Sequence, residues 1–565
     1  MSDQPISELV RHILERRGLS ARDDIESFLS PDYVLHTHDP LHLHDMPTAV
    51  ARILQAIEKN ERICVYADFD CDGIPGASIL SDFFKKIKYE NIEVYLPHRD
   101  REGYGFHISA IEKLALREVK LIITVDVGMT AVESVARANE LGIDVIITDH
   151  HEPIPVPPEA YAIVNPKLGT YPFPHLCGAG VAFKLVQALI FEGKKNNIEA
   201  FVAIPLGWEK WLLDLVAIAT VADMVPLVGE NRTLAFWGLT VLRKSPRVGI
   251  IALCRALRIQ RHELTEDDIG FGIAPRINAA SRMDEPEHAL RLLTTTDVIE
   301  AERIVVRLEE LNAKRKGIVA SMVREARKRV KARFTPNDQL IVLGDPEWKP
   351  ALLGLAANSI MDDRGGIVCL WGRDANGNLK GSCRSDGVVG LSDLFLHGRE
   401  LFIECGGHNA SGGFSVSHDR VHTLAEDLGK VAASLRDAAA NSLPVSSVAP
   451  HDGLLTLREL SWSLLVDVAH LSPFGMGNTK PVFCISRVMV TAIKRFGKEK
   501  NHVEIMLADR DGTSARAFNF FCSPQDFSHT PVVGAVVTIL ATLERDSYRG
   551  YQKFALRIVD VLPAE

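Results

Sequence analysis

Apolar positions along the chain switch between two periods. Three short runs are continuous and rich in β-branched residues: RICVYADFD (residues 62–70), KLIITVDVG (120–128) and DVIITDHH (144–151). Each flows directly into acidic or histidine residues. The stretches between them, such as SILSDFFKKI (78–87) and AVESVARANELG (131–142), repeat at helical spacing instead. Strands alternating with helices predict a parallel, doubly wound α/β sheet. The carboxyl ends of the strands in such a sheet line one crevice, so the three charged clusters are expected to meet in space.

Further along, residues 286–334 read as a long, charge-rich helical region whose spacing suits a spine between two lobes. A second α/β unit follows from about Asp338 (QLIVLGD, GGIVCLWG), through GGHNASGGFSV, to an amphipathic helix near residues 421–440. The polar stretch NSLPVSSVAP (441–450) has the composition of a linker. Beyond it, VFCISRVMVTAIKRF, HVEIMLAD, SARAFNFF, VVTILATLERD and FALRIVDVL alternate apolar with polar residues. That pattern predicts a small antiparallel barrel, with the OB-fold the leading candidate. No internal repeat stands out.

Length and composition narrow the class. A chain of 565 residues, 46% hydrophobic and 24% charged, is ordinary for three or four globular domains. The first twenty residues lack a signal-peptide apolar region and no window reaches about 18 uncharged apolar residues, so neither export nor membrane insertion is expected. Nine cysteines without a Cys-x-x-Cys pair predict reduced thiols in a cytoplasm. The net charge of −9 excludes a protein that coats nucleic acid indiscriminately. It leaves room for a local basic track, and residues 314–333 supply one in which Glu325 is the only carboxylate. The alternative for that segment is the solvated face of a long helix.

The first charged cluster, DFDCDG, places Asp68, Asp70 and Asp72 on alternate residues before Gly73. An EF-hand loop begins the same way, but its twelfth position would be Ile79 instead of a bidentate glutamate, and a strand precedes it instead of a helix. Asp126 ends the second run and Asp149-His150-His151 the third. Asp223 lies in LDLVAIATVADMVPL, where a lone acid is costly unless paired or metal-bound. Carboxylates with one or two imidazoles and no patterned thiolate suit Mn²⁺ or Mg²⁺ better than zinc. A pair of such ions about 3.5–4 Å apart can activate water and clamp a phosphoryl group, which accounts for the excess of acid.

With VDVG, VADMVPL and the Asp-His-His triplet, DFDCDG resembles the signature of the DHH phosphoesterase superfamily. Over nearly the whole chain the sequence is similar to the RecJ branch of single-strand-specific exonucleases. The matching stretches are PHRDREGYGF, NPK followed by CGAGVAFKL, GENRTLAFWGL, GIAPRINAASRM, KGSCRS and GGHNASGG. The resemblance implies that Asp70, Asp72, Asp126, His150 and Asp223 hold two divalent ions, Mn²⁺ or Mg²⁺, with Asp126 bridging. Asp68 would be a further ligand or a supporting carboxylate. His151 would contact the scissile phosphate or orient a ligand. No protein nucleophile is then needed.

It also implies an organisation: an N-terminal segment (1–45), a DHH domain (46–297), a connecting helix (298–336), a DHH-associated domain (337–440), a linker (441–450) and an OB-fold domain (451–565). Gly406, Gly407 and His408 match the Gly-Gly-His motif of the associated domain, where glycine lets backbone approach a phosphate. Ser382 and Arg384, with Arg276 or Arg282, resemble a pocket for a 5′-terminal phosphate, a role suited to arginine's planar fork. Arg99 is a further candidate, with a structural ion pair the alternative. The sequence departs from the pattern at EWKPALLG, where Lys349 and Ala351 replace the usual histidine and glycine, leaving the substrate contact of that loop open. His36, His38, His42 and His44 precede the family pattern in a predicted loop.

The implied function is a 5′-to-3′ exonuclease acting on single-stranded DNA in recombination and repair. A monomer in the cytoplasm is expected, supplied with ends by a helicase and a single-strand-binding protein. Trp462, Phe474, Phe496, Phe518 and Phe520 are candidate stacking groups on the barrel. Two other readings are a DHH phosphodiesterase of short oligonucleotides or cyclic dinucleotides, and a non-catalytic replication scaffold. The barrel and the great length count against the first. The complete carboxylate set counts against the second.

Overall fold

In the computed structural model, the continuous β-branched runs become adjacent strands of one sheet. Residues 7–335, 337–407, 409–440, 451–497, 500–546 and 553–564 are described, residues 437–440 by their backbone alone. The first sheet contains β1 (Ile63–Ala67), β2 (Ile92–Tyr95), β3 (Leu121–Val125), β4 (Asp144–Thr148) and β5 (Ala162–Val164), in the order β2-β1-β3-β4-β5. Every pairing is parallel. Helices cover both faces of β1, β3 and β4, which is why these strands are apolar throughout. Among the helices are α1 (Gly73–Lys86), α2 (Gly178–Lys195) and α3 (Leu213–Ala222).

A buried ion network fixes that packing. Asp214, at the start of α3, accepts from Arg247 Nε at 2.9 Å and from Ser245 Oγ at 2.6 Å, and Arg247 also reaches Asp82 on α1. Asp214 is therefore the fully buried acid of the segment 213–227, whereas Asp223 lies at its open end.

The helical region 286–334 divides at Thr295. A short helix, Glu287–Thr294, gives way to a second of 36 residues, Val298–Arg333, whose start is capped by Asp297 accepting from the amides of Ile299 and Glu300. In its basic part, Met322, Val323, Ala326 and Val330 pack into the second lobe, while Arg327 pairs with Asp363 and Arg329 with Asp345. Much of the expected basic track is thus structural.

The second sheet is mixed and contains β6 (Leu340–Gly344), β7 (Ile367–Arg373), β8 (Leu379–Ser385), β9 (Glu404–Gly407) and β10 (Ser411–Val416), in the order β6-β7-β8-β10-β9. On β8, Leu379, Cys383 and Ser385 face the core, so Lys380, Ser382 and Arg384 share the other face. Cys369 and Cys383 stand opposite each other on β7 and β8 and pair as a disulfide, while the other seven cysteines are free. Register brings together two cysteines whose spacing carries no motif.

The closing segments form a separate unit with the N-terminal helices and Pro226–Trp237. It contains β11 (Gly453–Leu454), β12 (Phe483–Phe496), β13 (His502–Ala508), β14 (Ser514–Asn519), β15 (Val536–Arg545) and β16 (Phe554–Pro563). The order β12-β13-β14-β16-β15 closes through a β12–β15 pairing into a five-stranded barrel, the expected OB-type architecture. Val10, Ile13 and Leu14 of the N-terminal helix Glu8–Arg16 join the barrel's core. On its surface, Phe496 and Phe520 cluster with His502, and the neighbouring Phe521 is 83% exposed, whereas Phe518, against which Phe520 packs, is buried and is no stacking group. Phe474 packs against the core instead. The linker 441–450 lies outside the described residues. Among those described, no helix is long and apolar enough to cross a membrane.

Candidate metal centre and substrate cavity

The parallel order delivers the expected convergence. Asp68, Asp126 and Asp149 directly follow β1, β3 and β4, and their amides extend the ladder to Val125, Thr148 and Val164. Asp126 holds a left-handed backbone, φ 62°, a conformation that non-glycine residues adopt at a cost and that turns its carboxylate inward. His150 Nε2 lies 3.1 Å from Asp126 Oδ1 and 3.6 Å from both Asp72 Oδ2 and Asp223 Oδ2. Three overlapping donor sets result: Asp68, Asp70 and Asp126; Asp72, His150 and Asp223; and Asp126, His150 and His151. Asp126 belongs to two of them, as a bridging carboxylate would.

The electrostatics fit cations. Burial and mutual repulsion hold Asp68, Asp126 and Asp223 well above the ordinary carboxylate range and Asp72 up to about 7. Asp68 Oδ1 and Asp126 Oδ1 are buried and accept no hydrogen bond among the described residues. Such groups call for positive charge, and a set of carboxylates and imidazoles fits Mn²⁺ or Mg²⁺. The nearby thiols of Cys71 and Cys177 are pushed up by burial and by the adjacent aspartates, and so stay protonated.

Supporting contacts absent from the sequence reading hold this geometry. Asp72 accepts from the amides of Gly178 and Ala179 at 2.6 and 2.7 Å, at the start of α2. Gly178 also abuts Asp126: a Cβ there would stand 2.6 Å from the aspartate's own Cβ. Asp149 accepts from the amide of Met129 and from His151 Nδ1 at 2.7 Å. That contact lowers Asp149 to about 2 and, against the cost of burial, raises His151 to about 9. Tyr104 Oη lies 3.4 Å from His151 Nδ1.

The remaining site residues are sorted by packing. Arg99 stacks over Phe69, 4.6 Å from its centroid, within electrostatic reach of Asp68 and Asp70. Arg282 donates to the Ala351 carbonyl at 2.7 Å; burial, together with Arg99, Arg315 and Arg384, lowers its pKa to about 9. Cations that depress one another in this way would be relieved by a bound phosphate. Arg384 donates to Ser382 Oγ at 3.1 Å, and Gly354 leaves the space they occupy, since a Cβ there would meet both. Arg276 is not part of this group: it is tied to Glu309 at 2.6 Å and to the Gly272 carbonyl. Gly406 and Gly407 line a cavity of about 1070 Å³ together with Arg99, Tyr104, Asp149 and His151. His408 lies outside the described residues. Of the N-terminal histidines, His36 accepts from the Asp32 amide and His44 contacts the Ile163 carbonyl; none enters a metal-type cluster among the described residues.

The sheet, its crown of carboxylates and histidines, and the facing glycine-rich lobe define a metal-dependent phosphoesterase of the DHH class. Residues 62–220 match the DHH family, N-terminal domain, and residues 451–560 match the RecJ OB domain. The chain is 32% identical to the single-stranded-DNA-specific exonuclease RecJ of Bacillus subtilis, over 99% of its own length and 68% of the relative's. With the Salmonella typhimurium protein of that name it shares 31% identity, over 92% and 91% of the two chains. Thermus thermophilus RecJ crystallised with Mn²⁺ superposes with a TM-score of 0.79 at 27% identity, covering 99% of this chain and 76% of that one; its Mg²⁺ complex gives 0.71 at 26%, covering 99% and 75%. The chain belongs to the RecJ family.

Proposed function

We propose that the chain is a single-stranded-DNA-specific exonuclease that hydrolyses phosphodiester bonds from a 5′ end. The observation that carries the reading is the position of Arg99. It faces Asp68 and Asp70 on one side and acts on Arg282 and Arg384 on the other. A phosphate-binding arginine group thus adjoins a cation-binding carboxylate group, so a strand end can be anchored beside the point of cleavage.

In this reading Asp68, Asp70, Asp72, Asp126, His150 and Asp223 hold two Mn²⁺ or Mg²⁺ ions. When bound, these supply an activated water and charge neutralisation at the scissile phosphate. Asp149 holds the His151 ring through Nδ1, and Nε2, 3.5 Å from Tyr104 Oη, is placed to donate to a phosphate oxygen or the leaving group. Arg282, Arg384 and Ser382 receive the terminal phosphate, and their fork geometry fixes which end enters. Gly406 and Gly407 admit the nucleotide against bare backbone. On the barrel, the exposed Phe520 and Phe521 form a stacking surface suited to bases. The role is end processing in recombination and repair, by a cytoplasmic monomer fed by a helicase and a single-strand-binding protein.

The test is a time course with Mn²⁺ on single-stranded DNA labelled at either end, beside a blunt duplex and the Asp70→Ala variant. Early release of 5′ label as mononucleotide, with gradual shortening of the 3′-labelled strand and inert duplex and variant, is expected. Cutting confined to di- to tetranucleotides, or binding without cutting in both metals, would overturn the reading.

A further inference from the structure

On the cavity's second-lobe wall stands a cation that the site described so far leaves unused. Lys349 sits immediately before the helix Pro350–Arg364, lines the cavity, and reaches across to Asp100, Nζ to Oδ2 2.8 Å, with both side chains about 30% exposed (29% and 31%). Asp100 belongs to the loop 97–106, which is tied internally by Glu102 accepting from Tyr95 Oη and the His98 amide, and by His98 Nδ1 accepting from the Asp100 amide. The loop that carries the carboxylate is therefore held in place. A second lysine, Lys380, comes from the same wall to the same loop, its Nζ 3.6 Å from where a Cβ on Gly103 would stand. Arg373 lies on this wall too, with Glu347, Asp374 and Glu404 as its acids.

Lys380 is set apart from the arginine pocket, while Lys349 stands two residues from Ala351, whose carbonyl accepts from Arg282. Lys380 is four residues from Arg384 on one face of β8, roughly 13 Å at strand rise, too far to share a phosphate. Arg282 and Arg384 are partly buried and bonded to protein groups, whereas Lys349 is held by a partly solvated carboxylate. Pairs of that kind are weak enough for an incoming phosphate to displace.

We propose that Lys349, with Lys380 beside it, is a second phosphate contact for the single strand, and that Asp100 holds Lys349 in reserve until the strand enters. The inference rests on the exonuclease reading above and adds to it a backbone phosphate other than the terminal one. It also gives a use to a position where the sequence departs from its family. Asp100 restrains binding because it occupies the ammonium that the strand needs.

The two partners of a merely structural ion pair would weaken the protein in the same direction when removed. Partners in this arrangement act in opposite directions. The experiment measures binding of a fluorescent 5′-phosphorylated single strand by anisotropy without added metal, across a salt titration, and KM and kcat with Mn²⁺. Lys349→Gln is expected to raise Kd and KM about three- to tenfold and to reduce the slope of log K against log salt by about 0.7, the share of one phosphate contact on a single strand. Lys349→Arg should restore both within about twofold. Asp100→Asn should lower Kd about two- to threefold, and the double variant should behave as Lys349→Gln, because Asp100 also lies near Arg99 and only the double variant separates the two routes. Weaker binding in Asp100→Asn, or an unchanged salt slope in Lys349→Gln with melting temperature preserved, would overturn the proposal. A wild type that binds single strands but cuts none would instead overturn the reading on which it rests.

Discussion

A single methyl group at Gly178 should disable the site without altering any ligand. Gly178 begins α2, and a Cβ built there meets Asp126 Cβ at 2.6 Å and Asp126 Cα and Cγ at 3.0 Å. Non-bonded carbons rest at about 3.5–4.0 Å, so one partner must move by roughly 1 Å. The helix is locked to Asp72 through the Gly178 and Ala179 amides, so relief falls on Asp126, already in a strained backbone conformation. A misplacement of about 1 Å in a reacting constellation costs on the order of 100-fold in rate, and overpacking costs about 1–3 kcal/mol of stability. Gly178→Ala should therefore lose about two orders of magnitude in kcat on 5′-labelled single strands with Mn²⁺, while metal-free binding of DNA persists. Gly180→Ala is the control: its Cβ would meet only ordinary contacts, at 3.6 Å and beyond. Helix propensity makes that change neutral to stabilising. A Gly178→Ala enzyme within threefold of wild type, or equal damage from Gly180→Ala, would refute the steric argument.

Asp126→Asn should abolish cleavage and the rise in melting temperature that Mn²⁺ gives the wild type, as read by a metal titration in a thermal scan. Arg384→Ala should erase most of the preference for 5′-phosphorylated over 5′-hydroxyl strands in a competition assay, and Gly354→Ala should do the same in part by crowding Arg384 and Ser382. Asp214→Ala leaves Arg247 buried with one partner fewer and should cost about 3–5 kcal/mol in urea unfolding, with kcat per folded molecule unchanged. Arg276→Ala should disturb helix packing at Glu309 far more than it disturbs phosphate preference, as a paired stability and competition measurement would show.

What the sequence reveals about this site follows from strand topology. Continuous apolar runs that end in charge identify parallel strands, and a parallel sheet brings their ends together, so the meeting of Asp68, Asp126 and His150 is legible in the chain alone. The barrel was readable for the matching reason, alternation of apolar and polar positions. Other features carry no such sign. Backbone amides have no identity in a sequence, so the grip of Gly178 and Ala179 on Asp72 was hidden. Arg276 and Arg282 lie on one helix six residues apart, about 120° around its axis, and only packing decides which faces the pocket. Asp214 and Asp223 share one apolar segment, yet the first is a structural anchor and the second reaches His150. The bond between Cys369 and Cys383 depends on the register of two strands, which spacing does not encode.

The order in which these pieces leave the ribosome has a consequence for the cell. The carboxylates span Asp68 to Asp223, the arginine group is complete only with Arg384, and the glycine wall arrives later still with Gly406 and Gly407. A half-made chain, or one clipped between the lobes, holds the acids with Arg99 and Arg282 but lacks Ser382, Arg384 and the glycine wall. On the reading proposed above, a truncated copy is therefore expected to cleave no single strand, because the phosphate-binding group is complete only once the second lobe has folded.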